Sequence, residues 1–165
     1  MQYSKRFFLS GFTLTELMVV VGLIILFISI GTVQLSNIQQ KTYIGTTTST
    51  VMSDIKLQQL KAMVGDTEGS GTISDYGIYF EQTKYTLFRG SIYSANNTSN
   101  YVINLETTLQ FSDVLFPQSQ IIFSKGTGSI RNFTNGSNTI TLLNTVNNES
   151  RTISINELGS IISVN

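Results

Sequence analysis

Residues Phe12 to Thr32 form an apolar run of 21 residues, FTLTELMVVVGLIILFISIGT, in which Glu16 is the only charge. As an α-helix this run is roughly 31 Å long, close to the hydrocarbon thickness of a bilayer. It can therefore span a membrane. Lys5 and Arg6 precede it, a placement that holds the amino terminus in the cytoplasm and sends everything after Thr32 outward. A secretory signal is cut beyond its apolar region at small residues, and Ser29, Gly31 and Thr32 offer such a place. The run is nevertheless longer than a signal core and leads into the polar, helix-compatible VQLSNIQQ, which favours a helix that is retained.

Glu16 needs its own account. An ionised carboxylate one turn into a bilayer helix costs several kcal/mol unless it reaches the headgroups or finds a partner. Snorkelling to the interface is the plain reading. The flanking residues add another, because the string GFTLTELMVVVGLI, Gly11 to Ile24, resembles the class III signal of type IV prepilins and type II secretion pseudopilins. That resemblance implies cleavage by a prepilin peptidase after Gly11 and N-methylation of the new amino terminus at Phe12. It also implies that Glu16 neutralises the Phe12 ammonium of a neighbouring subunit inside an apolar bundle, where an unpaired charge would be penalised. Leu14, Val19, Leu23 and Leu26 would then pack helix against helix. Thr15 departs from the aliphatic residue more usual in the family, and the run carries Gly22 and Gly31 but no proline.

The composition removes whole classes of chemistry. With no cysteine there is no disulfide, thiolate metal site or cysteine nucleophile, and with no histidine there is no imidazole base, zinc ligand or proton shuttle. Lysine plus arginine equals aspartate plus glutamate at 10 each. Setting aside Lys5, Arg6 and Glu16 leaves 8 basic against 9 acidic residues, so nucleic acid as a bulk partner is disfavoured.

Beyond Thr32 the apolar residues Ile44, Val51, Ile55, Leu60 and Met63 recur at helical spacings, so the helix is expected to continue amphipathically over 34–64. Gly45 and the run Thr46 to Thr50 have weak helix propensity and permit a break there, with Ser53 or Asp54 capping a new start. GDTEGSGT, 65–72, ends the helix. The period then changes to two, predicting seven strands at 76–80, 84–90, 100–105, 120–124, 138–144, 151–156 and 160–164, with turns at 81–83, 147–149 and 157–159.

The order of these elements, with IKLQQLKAMV, DYGIYFEQTKYTLFRG and TISINELGSIISV, resembles the GspH/FimT class of minor pseudopilins and pilins. The fold implied is α+β, a long amino-terminal helix packed on antiparallel sheets. Its divisions are a leader at 1–11, a transmembrane or filament-core helix at 12–33, the amphipathic continuation at 34–64 and a β-rich head at 65–165.

Other motifs have ordinary explanations. Asp66 and Glu68 lack the alternating acids of a calcium loop. Asp75 with Glu81, or Glu106 with Asp113, could be imagined as a glycosidase pair, but nothing places either pair in one cleft. Lys125, Arg131 and Arg151 with Phe123 and Phe133 make a candidate weak DNA contact, though no basic residue follows Arg151 as an arginine-rich tail would require. The sequons at Asn97, Asn132, Asn135 and Asn148 are what chance provides in a chain rich in Asn and Thr.

The reading is a non-enzymatic structural subunit without metal or cofactor. It is held by a single pass in the inner membrane and then built into a pilus or pseudopilus. Its implied partners are the prepilin peptidase, other pilin or pseudopilin subunits, the inner-membrane assembly platform and the bilayer. A DNA-binding minor pilin and an exported domain that never polymerises are the alternatives.

Overall fold

The computed structural model describes residues 11–131 and 133–165, with the side chains of 30–42 excepted. Lys5, Arg6, most of the expected leader and the sequon residue Asn132 lie outside the described residues. The chain divides into two compact units, Met1–Ile38 and Gln39–Asn165.

One helix, α1 (Leu14–Val64), has 51 residues. The helix continues as expected, and the break that Gly45 and Thr46 to Thr50 would permit does not occur. Thr48 Oγ1 donates to the Ile44 carbonyl at 2.7 Å, Ser49 Oγ to Gly45 at 3.0 Å, Thr50 Oγ1 to Thr46 at 3.1 Å and Ser53 Oγ to Ser49 at 2.8 Å. Hydroxyls that would otherwise compete with the helix are satisfied by its own carbonyls one turn back. Ser53 thus serves the helix interior rather than capping a second one. Gly65, at φ 69°, ends α1 in a Schellman motif: the Asp66 N–H donates to the Lys61 carbonyl at 3.0 Å and the Gly65 N–H to that of Ala62 at 3.3 Å.

The second unit is an α+β domain of two four-stranded antiparallel sheets with the last part of α1. The strands are β1 (Tyr76–Glu81), β2 (Lys84–Arg89), β3 (Tyr101–Asn104), β4 (Leu109–Val114), β5 (Gln120–Phe123), β6 (Thr139–Asn144), β7 (Ser150–Ile155) and β8 (Ile161–Val164). One sheet runs β3-β2-β1-β5 and the other β4-β6-β7-β8. Seven strands match those expected from the sequence, and β4 is an addition. Its apolar residues Leu109, Phe111 and Val114 lose the two-residue period where the register with β6 shifts between Phe111 and Asp113.

The helix enters this core along a single stripe. Ile44, Thr48, Val51, Ile55, Gln58 and Ala62 are all buried, at alternating steps of four and three residues. Their apolar members pack with Ile78, Phe80, Tyr85, Phe111, Ile140 and Ile153 of the sheets. Leu60 and Met63, expected on this face, are 55% and 49% exposed, because both fall outside the stripe. Gln59, beside it, donates through Nε2 to the carbonyls of Gly128 at 3.1 Å and Leu158 at 2.6 Å, so one side chain holds a loop from each sheet.

Candidate functional site

In the first unit, Thr13 stands as the N-cap of α1. Its Oγ1 accepts the Glu16 N–H at 3.2 Å and its carbonyl accepts the Leu17 N–H at 3.1 Å. Thr15 Oγ1 lies 3.1 Å from Thr13 Oγ1, so the hydroxyl at the position that departs from the usual aliphatic residue is used in the first turn. Thr13 and Glu16 have the S/T-x-x-E spacing of a capping box, with the acid at the positive end of the helix dipole. The sequence carried this signal in TLTE, and it gives Glu16 a local role that the filament reading overlooks.

Gly11, Phe12 and Glu16 are brought together: with Thr13 they line one surface concavity. Around them the helix is apolar on every side. Phe12 is 82% exposed, and Leu14, Val19, Leu23 and Leu26, the expected packing residues, are 74%, 63%, 52% and 55% exposed. A helix that is apolar all round is stable only when something surrounds it. Among the described residues no helix is long and apolar enough to cross a membrane.

Two of the cationic candidates are held in local ion pairs. Arg131 pairs with the buried carboxylate of Asp75 at 3.1 Å, and Asp75 also accepts the Lys125 N–H at 2.9 Å, so the two acidic contacts pin the loop after β5 to the start of β1. Arg151 pairs with Glu149 at 3.2 Å on the β6–β7 hairpin. Phe123 is fully buried in the core and Phe133 packs against it, which leaves Phe123 no face for stacking a base. Of the other acids, Glu68 bonds Lys61 at 2.7 Å and Glu81 bonds Lys84 at 3.3 Å.

Two phenols and one amine in the head are electrostatically set. Burial pushes the Tyr85 hydroxyl well above the ordinary tyrosine range, and its 2.6 Å bond to the Asp54 carboxylate pushes the same way. Burial, then the charges of Glu68 and Asp66, raise Tyr76 against the opposing Arg89. For Lys61, burial works downward, but the bond to Glu68 and the surrounding negative charge prevail and raise it.

No protein-family model, curated protein or solved structure matches the chain.

Proposed function

We propose that this protein is a minor pilin or pseudopilin. In this reading it is a single-pass inner-membrane precursor with a type IV pilin-like fold. A prepilin peptidase cuts it between Gly11 and Phe12 and methylates Phe12, and an inner-membrane assembly platform feeds it into a pilus or pseudopilus. The observation that carries the reading is the exposed, all-round apolar segment Phe12–Ile28 with Glu16 as its lone charge.

Such a segment is stable in two surroundings, lipid and a bundle of like helices, and an assembling subunit visits both. In lipid, Glu16 lies close enough to the helix end to reach the interface. In a bundle, the α-amine created at Phe12 supplies a countercharge that an uncut chain lacks. Cleavage thus changes Glu16 from an acid in need of water into half of an ion pair, which fixes the stagger between neighbours. The head, with its own core, would form the filament surface.

The test is co-expression of the full chain with a prepilin peptidase, reading the amino terminus by mass spectrometry. The wild type should lose residues 1–11 and gain one methyl group on Phe12, and Gly11→Ala should keep its leader. Identical amino termini for the two would end the prepilin reading. A correctly cut protein that never enters filaments would leave a processed, membrane-anchored domain instead.

A further inference from the structure

The head is rich in asparagine, and most of these side chains are engaged in its loops. The carboxamides of Asn97, Asn144, Asn147 and Asn156 accept backbone N–H groups two to four residues on, while those of Asn100 and Asn138 donate to the carbonyls of Ser94 and Ile155. Asn135 differs in two respects. Among the described residues its carboxamide has no hydrogen-bond partner, and it is the one asparagine of the chain that is followed by glycine.

Asn135 and Gly136 are the central residues of a turn between β5 and β6, closed by the Ser137 N–H on the Thr134 carbonyl at 3.0 Å. Gly136 has φ 82°, the value a type II turn needs at its second central residue, so the fold itself calls for glycine there. That demand has a chemical consequence. Glycine has no Cβ to shield its amide nitrogen, and nothing stands within 4 Å of where a Cβ would lie. The Gly136 N–H has no acceptor among the described residues, and both residues are exposed. Its nitrogen is thus open to react with the carboxamide beside it.

We propose that Asn135 is a self-modification site, where the head converts a neutral amide into a carboxylate without an enzyme. The Gly136 nitrogen gives up its proton and bonds to Asn135 Cγ. The Cγ–Nδ2 bond breaks and ammonia leaves with that proton, closing a succinimide ring. Water then opens the ring. Addition at the main-chain carbonyl carbon of Asn135 leaves an isoaspartyl linkage through Cγ, and addition at Cγ leaves aspartate. Either product adds one negative charge to a chain whose basic and acidic residues balance at 10 each. The isoaspartyl form also lengthens the main chain of the turn by one carbon. The site belongs to the head alone and does not rest on the filament reading.

The experiment incubates the full chain, folded in detergent, in mildly alkaline buffer. Peptides are mapped by mass spectrometry with electron-transfer fragmentation, which separates isoaspartate from aspartate. Asn135 should exchange its amide for a carboxyl about tenfold faster than any other asparagine, because only its neighbour leaves the attacking nitrogen unshielded. Isoaspartate should be the major product, and the intact protein should move to the acidic side on isoelectric focusing. Gly136→Asn keeps a residue that tolerates positive φ while shielding the nitrogen, and should slow the change at Asn135 about tenfold. An Asn135 that stays intact in the folded wild type overturns the proposal. So does faster conversion at another asparagine, aspartate as the sole product, or an undiminished rate at Asn135 in Gly136→Asn. The first three outcomes are read on the wild type, so they decide the matter even if the variant fails to fold.

Discussion

Removing the Tyr85 hydroxyl tests how the helix is fastened to the first sheet. Tyr85 is 1% exposed, its ring lies edge-on to Phe111 and near Phe80, and its hydroxyl donates to Asp54 of α1 at 2.6 Å. Tyr85→Phe keeps the ring contacts and deletes only that bond. A hydrogen bond to a charged group is worth about 1.5–3 kcal/mol, and because Asp54 is half-buried and can regain water the lower end applies. The loss at neutral pH is therefore about 1.5 kcal/mol. The pH dependence gives a second handle. A phenol whose pKa is raised by folding contributes stability that is whole below the unfolded value, about 10, and is lost as pH climbs above it. The loss is about 1.4 kcal/mol per pH unit for the wild-type side chain and zero for phenylalanine. The two stability curves should accordingly run parallel up to about pH 10 and meet near pH 11. Urea unfolding followed by far-UV circular dichroism, on a chain beginning at Gln39 that retains the whole described core, measures both features. A constant gap across the alkaline range would refute the raised phenol. No gap at neutral pH would refute the fastening role of the bond.

Substitutions at two further positions test the first turn of α1 and the packing of the first sheet. Glu16→Gln keeps the capping-box pattern while deleting the charge, and Glu16→Ala deletes both; each should be cut normally after Gly11, and each should enter filaments several-fold less than wild type. Wild-type incorporation of Glu16→Gln, scored by immunoblot of sheared filaments, would reduce Glu16 to a cap. Gly77→Ala places a methyl group against the Phe88 ring and 2.6 Å from the Ile121 carbonyl oxygen, a backbone atom that cannot turn aside. Overpacking of this kind costs about 1–3 kcal/mol, and the backbone clash puts it at the upper end. A drop in melting temperature of about 10 °C is expected for a chain of this size, and calorimetry showing less than about 2 °C would mean the sheet yields there.

Much of the architecture could be read from spacing alone, because long periodic segments report what they face. The change from helical to two-residue period near Gly65 placed the end of α1 and seven of the eight strands. The failures have local physical causes. β4 escaped because a bulge breaks its alternation between Phe111 and Asp113. The Gly45–Thr50 segment looked weak because propensity counts hydroxyls as competitors of the helix, whereas here they bond carbonyls within it. Gln58 is polar yet buried. Only the four-three rhythm of Ile44, Val51, Ile55 and Ala62 places it inside, and its missing partner could not be read from sequence at all. The cap formed by Thr13 has its signal in the T-x-x-E spacing, which the charge of Glu16 does not reveal.

The two patterns carried by α1 are themselves information about function. From Ile44 to Ala62 one stripe is apolar and the remaining faces carry Ser49, Ser53, Lys56 and Lys61, as expected of a helix that meets a single protein surface. From Leu14 to Ile28 no face is polar and the large apolar side chains are 43–74% exposed, so this segment carries an uncompensated hydrophobic cost in water. Left bare in water, such a segment promotes aggregation. Glu16 sharpens the point, because a plain membrane anchor has no use for a carboxylate in its apolar run, and a helix cap could be built from threonine alone. Under the filament reading proposed above, the carboxylate has a partner in the Phe12 amine of a neighbouring copy.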